Sequence, residues 1–144
     1  MSNFGIIAKR KNIMLSNTPL NLSELPIYQK ALEIFALSQN ISMYLNHDLS
    51  NLKPDGSEDN NIYFSGDIVQ QSISLAPEIL NAELERYSDR KHRHIASLKR
   101  LTNKLYKSSY RLERSNSNGK DFLPILRSEL RKFKKLQSSW MMTL

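Results

Sequence analysis

Apolar residues recur along this chain at steps of three and four, in four separate stretches. In the first, Ile27, Ala31, Ile34, Ser38, Ile41 and Leu45 alternate those steps, and Tyr28, Leu32 and Phe35 widen the stripe. That period marks a helix with one buried face. It predicts a helix from Ser23 or Glu24 to about Leu45, with Ser23 as N-cap. Pro26 then falls in the first turn, where its missing N–H has no helical partner to lose. A second helix is expected from Ser65–Asp67 to about Tyr87. Val69, Ser72, Ala76, Leu80 and Tyr87 supply one side of it, flanked by Ile68, Ile73, Ile79 and Leu84. Pro77 removes a backbone hydrogen bond inside this stretch, so a kink or break is expected there.

Ser88-Asp89 is the expected cap of a third helix, from Asp89 to Glu113. Its core positions are Ile95, Leu98, Thr102, Leu105, Ser109 and Leu112. Ser115-Asn-Ser-Asn-Gly119 closes it, with glycine suited to the positive φ found past helix ends. Asp121 is expected to cap the fourth helix, with Pro124 in its first turn. Leu123, Leu126, Leu130, Phe133, Gln137, Trp140 and Leu144 repeat the alternation. Residues 1–21 hold no sustained period and end in Ser-Asn-Thr-Pro-Leu-Asn, which predicts a flexible N-terminal arm. The stretch 46–64 carries Pro54, Asp55-Gly56 and Ser57-Glu-Asp-Asn-Asn61, a polar loop with a turn inside it, part of it mobile. The fold class expected is therefore all-α, an antiparallel four-helix bundle over residues 22–144.

Composition narrows the picture. At 144 residues the chain suits one domain with one core. Four glycines and five prolines are few, which favours long helices over a turn-rich β fold. No apolar run approaches the length of a membrane span. The opening Met1-Ser-Asn-Phe-Gly-Ile-Ile-Ala-Lys-Arg-Lys places its bases after its apolar residues, the wrong order for a secretory signal. The absence of cysteine rules out disulfides, thiolate metal sites and a Cys nucleophile. These features predict a soluble, cytoplasmic protein.

Charge changes the picture most. From Arg86 to Lys135 there are sixteen bases and four acids, a net +12, whereas residues 1–85 hold five bases and ten acids, a net −5. On the third helix Arg86, Arg90, Arg93, Arg100, Lys104, Lys107, Arg111 and Arg114 follow helical spacing. At about 100° per residue, Arg93 sits roughly 160° and Lys104 roughly 180° from Ile95, so the cations face away from the core. The fourth helix adds Arg127, Arg131, Lys132, Lys134 and Lys135 outside its apolar face. An ordinary solvated face mixes signs; here only Glu113 interrupts the row after Asp89. The pattern points to a polyanionic partner, nucleic acid, contacted through phosphates rather than base edges. Tyr106 and Tyr110 are candidates for stacking on exposed bases. The rival reading is a structural bundle that docks an acidic protein.

Catalytic chemistry is not in view. His92 and His94 are two apart and point to different faces of a helix, so they cannot share one metal. His47 lies beside Asp48 at a loop edge, and Glu78, Glu83 and Glu85 suit a solvated side. There is no glycine-rich phosphate loop and no nucleophile elbow. No catalytic residue, metal or cofactor is expected. A ligand in the bundle core would have only Ser38, Thr102, Ser109 and Gln137 to hold it, and small polar residues at seams more often permit close helix approach.

Certain segments also resemble a known family. Leu25-Pro-Ile-Tyr-Gln-Lys-Ala-Leu-Glu-Ile-Phe35 is similar to the opening helix of the four-helix-bundle proteins encoded in intervening sequences of bacterial 23S rRNA genes. It is equally similar to that of their relatives, the accessory variability determinant proteins of diversity-generating retroelements. Ile95-Ala-Ser-Leu-Lys-Arg-Leu-Thr-Asn-Lys-Leu105 resembles the leucine-spaced third helix of the accessory proteins, and Leu136-Gln-Ser-Ser-Trp140 resembles their Gly-Ser-Trp ending, with Ser138 in place of the glycine. Ser74-Leu-Ala-Pro-Glu-Ile-Leu-Asn-Ala-Glu83 keeps only the proline of the Ser-Ile-Pro-Ser-Asn-Ile-Ala-Glu-Gly segment usual in the rRNA branch, which favours the retroelement branch. The resemblance implies a ring-like homo-oligomer, a pentamer, that binds a reverse transcriptase and nucleic acid, RNA or DNA, through basic surfaces. By position, the outward bases of the third and fourth helices would be the contacts.

Overall fold

The computed structural model describes residues 21–49, 52–57, 61–115 and 118–144; all but Asn21 of the expected arm lies outside them. Asn21 opens the described chain by accepting the N–H of Ser23 at 3.2 Å, which caps a 3-10 turn over Leu22–Glu24. Ser23 is thus inside a turn and not the cap of a helix. Helix α1 (Pro26–Leu49) starts at the proline, whose ring supplies a helical φ where no N–H is needed. It buries Ile27, Ala31, Ile34, Ser38, Ile41 and Leu45 as the spacing predicts, then continues a further turn and buries Leu49. The connection after it is shorter than expected. Within it Lys53-Pro-Asp-Gly-Ser57 forms a tight turn, with Gly56 at φ 87° and its N–H donated to the Lys53 carbonyl at 2.8 Å.

The second rod is two helices, α2 (Asn61–Ile73) and α3 (Leu75–Leu84). Pro77 has no N–H to offer the Ile73 carbonyl, and the break falls there, one turn upstream of the ring. Ser74 Oγ donates to the Gln70 carbonyl at 3.2 Å across the break, and the Ser74 carbonyl accepts from Glu78 N–H at 3.3 Å. The buried stripe is Ser65, Ile68, Ser72, Leu75, Ile79 and Ala82. Ser72 and Ala76 are buried as expected, but Val69 and Leu80 are only half-buried, and Ile73, Leu84 and Tyr87 are exposed. Tyr87, expected on the same side, lies beyond the end of α3.

Helix α4 (Ser88–Glu113) buries all six expected positions. Its N-cap is Tyr87, without a side-chain cap bond, so Ser88 and Asp89 belong to the first turn. Glu85 instead receives the N–H groups of Arg86 and Tyr87 at 3.1 and 3.2 Å. No glycine closes α4: Arg114 stays in the right-handed region, and Ser115 N–H returns to the Leu112 carbonyl at 2.9 Å. Gly119 lies within a second 3-10 turn, Asn118–Phe122, which leads into α5 (Leu123–Met141). Phe122 is the N-cap of α5 and makes no side-chain cap bond; Asp121 sits in the turn and does not cap. Leu123, Leu126, Leu130, Phe133, Gln137 and Trp140 are buried, and Leu144 is half-buried.

The rods form an antiparallel ring in chain order. Asn46 of α1 accepts from Ser65 of α2, Gln71 of α2 accepts from Ser108 of α4 at 3.1 Å, and Glu78 of α3 meets His94 of α4 at 3.2 Å. Burial pushes Glu78 up, but hydrogen bonds from Ser97, Asn81 and His94 outweigh it and hold the carboxyl below its ordinary value. The N-terminal half of α5 meets the C-terminal end of α4 through Arg127 and Glu113, 2.7 Å apart. Its N-terminus meets the C-terminal half of α1 through Phe122 and Tyr44, ring centroids 5.3 Å apart. At the other end Trp140 donates to Glu83 at 2.6 Å. α1 packs on α2 and α5, and α4 packs on α2, α3 and α5, so α1 and α4 lie diagonally opposed. The result is an all-α four-rod bundle around one core. Among the described residues no helix is long and apolar enough to cross a membrane.

Two expectations follow for stability. Ser38 is fully buried and its hydroxyl finds no hydrogen-bond partner among the described residues. Ser38→Ala should therefore be neutral or stabilise by up to about 1 kcal/mol, whereas Ile34→Ala, one turn away, should cost about 2–5 kcal/mol in a urea melt. Lys30 bridges α1 to α5 at 2.8 Å from Glu129, and its hydrogen bond, with that of Lys132, holds the Glu129 carboxyl below its ordinary value of 4.5. A depressed carboxylate contributes fully above the unfolded value and is lost as pH falls through the folded one. Glu129→Gln should flatten that acid limb, read as stability against pH below about 4.5; an unaltered limb would show the bridge to be idle.

Candidate nucleic-acid interface

Burial of one face of α4 decides where its other face points. With Ile95 through Leu112 turned inward, Arg93, Arg100, Lys104, Lys107, Arg111 and Arg114 are all exposed on the outer side. At about 1.5 Å per residue this ridge is roughly 31 Å long. Arg90 extends it by a turn, with its guanidinium 4.9 Å above the Tyr87 ring. Arg86 is exposed in the connection ahead of the helix.

Counter-charges are scarce. Arg93 meets Asp89 at 3.6 Å, but the two side chains are 74% and 79% exposed, and so open a pair is worth little. Among the described residues no carboxylate lies within ion-pair distance of Arg100, Lys104, Lys107, Arg111 or Arg114. Arg111 is steadied by an aromatic ring, its guanidinium 3.6 Å from the Phe64 centroid. Helix α5 adds exposed Arg131, Lys132, Lys134 and Lys135, of which Lys132 is drawn back to Glu129 at 2.9 Å.

Arg127 departs from expectation. It is buried, 7% exposed, against the seam with α4. Its guanidinium bonds Glu113 at 2.7 Å and the Ser109 hydroxyl at 3.3 Å, and lies 4.1 Å from the Tyr110 centroid. The contacts make it a clamp between α4 and α5, not an outward cation. Its position beside Leu126, about 100° round the helix, placed it at the edge of the apolar stripe. Glu113, the lone acid late in α4, was the available clue to its partner.

The tyrosines are also less free than their spacing suggested. Tyr106 is half-buried, its hydroxyl donates to the Arg127 carbonyl at 3.4 Å, and Lys134 stands 4.3 Å above its ring. Burial pushes its phenol above the ordinary value, against the pull of the Arg131 cation. Tyr110 is half-exposed but has Arg127 on one face. Beside it Lys107, Arg111 and Arg114 complete an open depression of about 550 Å³. What this surface supplies is positive charge and N–H donors over a long, shallow face, the chemistry of phosphate contact.

The histidines are engaged elsewhere. His92 Nδ1 bonds its own helix at the Ser88 carbonyl, 2.7 Å away, and His94 bonds Glu78. Among the described residues no three His, Asp or Glu side chains gather in a way that could hold a metal ion. No family model, curated protein or solved structure matches the chain.

Removing the clamp should cost stability rather than charge alone. Arg127→Leu leaves Glu113 and Ser109 without their donor and should destabilise by about 2 kcal/mol in a chemical melt. A double-mutant cycle with Glu113→Leu should then show a coupling above about 0.5 kcal/mol. Additive losses would mean that the pair does not act as a unit.

Proposed function

We propose that this bundle is a non-enzymatic nucleic-acid-binding protein that seats a phosphate backbone on the outer ridge of α4. The observation that carries the reading is the row of six exposed cations from Arg93 to Arg114 opposed by one loosely held acid. Like charges packed this way repel, and bound phosphates relieve the repulsion while releasing counterions into solution. The exposed row is almost wholly cationic, with Asn103 its one carboxamide, which favours contact with the phosphate backbone.

A finer reading follows from the family resemblance. Leu25–Phe35, Ile95–Leu105 and Leu136–Trp140 support an accessory protein of a diversity-generating retroelement, acting with a reverse transcriptase as a ring-like homo-oligomer. Such a role needs a second, protein-facing surface. The groove between α1 and the 3-10 turn ahead of α5, about 690 Å³ and lined by Leu37, Ile41, Met43, Tyr44 and Phe122 among others, offers apolar area away from the ridge.

Charge reversal tests the first reading. Arg100→Glu, Lys104→Glu, Lys107→Glu and Arg111→Glu together should leave the helical circular-dichroism spectrum intact, since all four side chains are exposed. RNA affinity by fluorescence anisotropy should fall by at least about 100-fold, and wild-type binding should weaken steeply between about 50 and 200 mM salt. Unchanged RNA binding by the variant would sink the proposal. Purified wild-type protein that carries no nucleic acid and binds random RNA weakly at every salt would point to an acidic protein on the ridge instead.

A further inference from the structure

We infer that the form of nucleic acid this surface takes is a duplex, held by both of its backbones across the α4–α5 seam; the inference rests on the nucleic-acid reading above. The ridge is one of two rows. Arg127 and Lys134 reach Tyr110 and Tyr106 of α4, so the flank of α5 that carries them faces the seam. Arg131 adds its charge to the same flank, close enough to act on the Tyr106 phenol. Arg131 and Lys134 are exposed, and they form a short second row beside Arg100, Lys107, Arg111 and Arg114. Packed helices have axes about 8–10 Å apart. Cation rows carried on two neighbouring axes suit two phosphate strands that face each other across a groove, which a single strand does not present.

The floor of the seam points the same way. Binders of single strands rely on open aromatic faces on which unstacked bases can lie. Here Tyr106 has Lys134 on one face and is half-buried, Tyr110 has Arg127 on one face, and Phe64 at the far side of the ridge is covered by Arg111. Each ring is already used to hold a cation in place. Asn103 is the only exposed carboxamide between Arg93 and Arg114, so side chains that pair with an adenine edge are sparse as well. A duplex keeps its bases stacked and asks only for charge on its rims. The ridge, at roughly 31 Å, covers about nine steps of 3.4 Å along one strand.

The test compares mixed-sequence RNA and DNA duplexes of roughly 16 base pairs, long enough to cover the ridge, with their separated strands by anisotropy. The full chain should bind at least one duplex about tenfold or more tighter than either of its strands. Arg131→Gln with Lys134→Gln should cost the duplex about tenfold or more and lower its log–log salt slope by about 2, while single-strand affinity falls less than about threefold. Single strands that bind as tightly as duplexes overturn the inference and leave nucleic-acid binding standing, as does an equal loss for both in the variant. Failure of every duplex and strand to bind overturns the underlying reading too. If the variant does not fold, the wild-type comparison of duplex with strand decides alone.

Discussion

The inward face of α4 is the constraint on which the rest of the structure depends. Ile95, Leu98, Leu105 and Leu112 are 8% exposed or less, and each is worth about 1.5–3 kcal/mol when buried. Neighbouring like charges one turn apart on the opposite face cost about 0.2–0.5 kcal/mol per pair. Burial wins by a wide margin, and it fixes the rotation of the helix. A turn of one residue, about 100°, would bring charged side chains toward the core and leucines into water. The cations did not choose their direction; the leucines chose it for them.

Small polar residues let the helices come close, and except at Ser38 and Ser115 the buried hydroxyls find partners. Thr102 donates to the Leu98 carbonyl at 2.9 Å, Ser109 to that of Tyr106 at 2.7 Å, and Ser72 to that of Val69 at 3.1 Å. These hydroxyls are satisfied by their own helices. Ser109 alone does double duty, because its oxygen also accepts from Arg127. That contact ties the core of α4 to the buried end of the basic surface.

How far the chain can be read before folding depends on which side chains fill each stripe. The faces of α1, α4 and α5 were legible because Leu, Ile, Phe and Trp occupy most positions. The α2–α3 face was legible only in part: Ser72 and Ala76 were read in it, but Ser65 stands in it too, while Ile73, Leu84 and Tyr87 lie in water. The starts of α1 and α5 were misread because both are approached through 3-10 turns, so the capping residue precedes the turn or is absent. On the basic surface the outward cations of α4 followed from their angle to the core. Arg127 did not, since a residue at the stripe's edge is placed by its partner on another helix, and Glu113 and Ser109 become neighbours only through folding. The tyrosines were legible as aromatic and well spaced, but not as rings already occupied by Arg127 and Lys134.

Chain order accounts for the last feature. In an antiparallel ring consecutive rods lie side by side, so the two basic helices, being adjacent in sequence, must share a seam. The acid-rich first half supplies α1, α2 and α3, and its carboxylates are spent partly on cross-links: Glu78 on His94 and Glu83 on Trp140. α1, diagonal to α4, exposes Leu32, Met43 and Tyr44, and its only Lys or Arg is the half-buried Lys30. Had the basic rods been first and third in the chain, the ring would have set their ridges on opposite sides. Their adjacency is what turns two rows of charge into one surface.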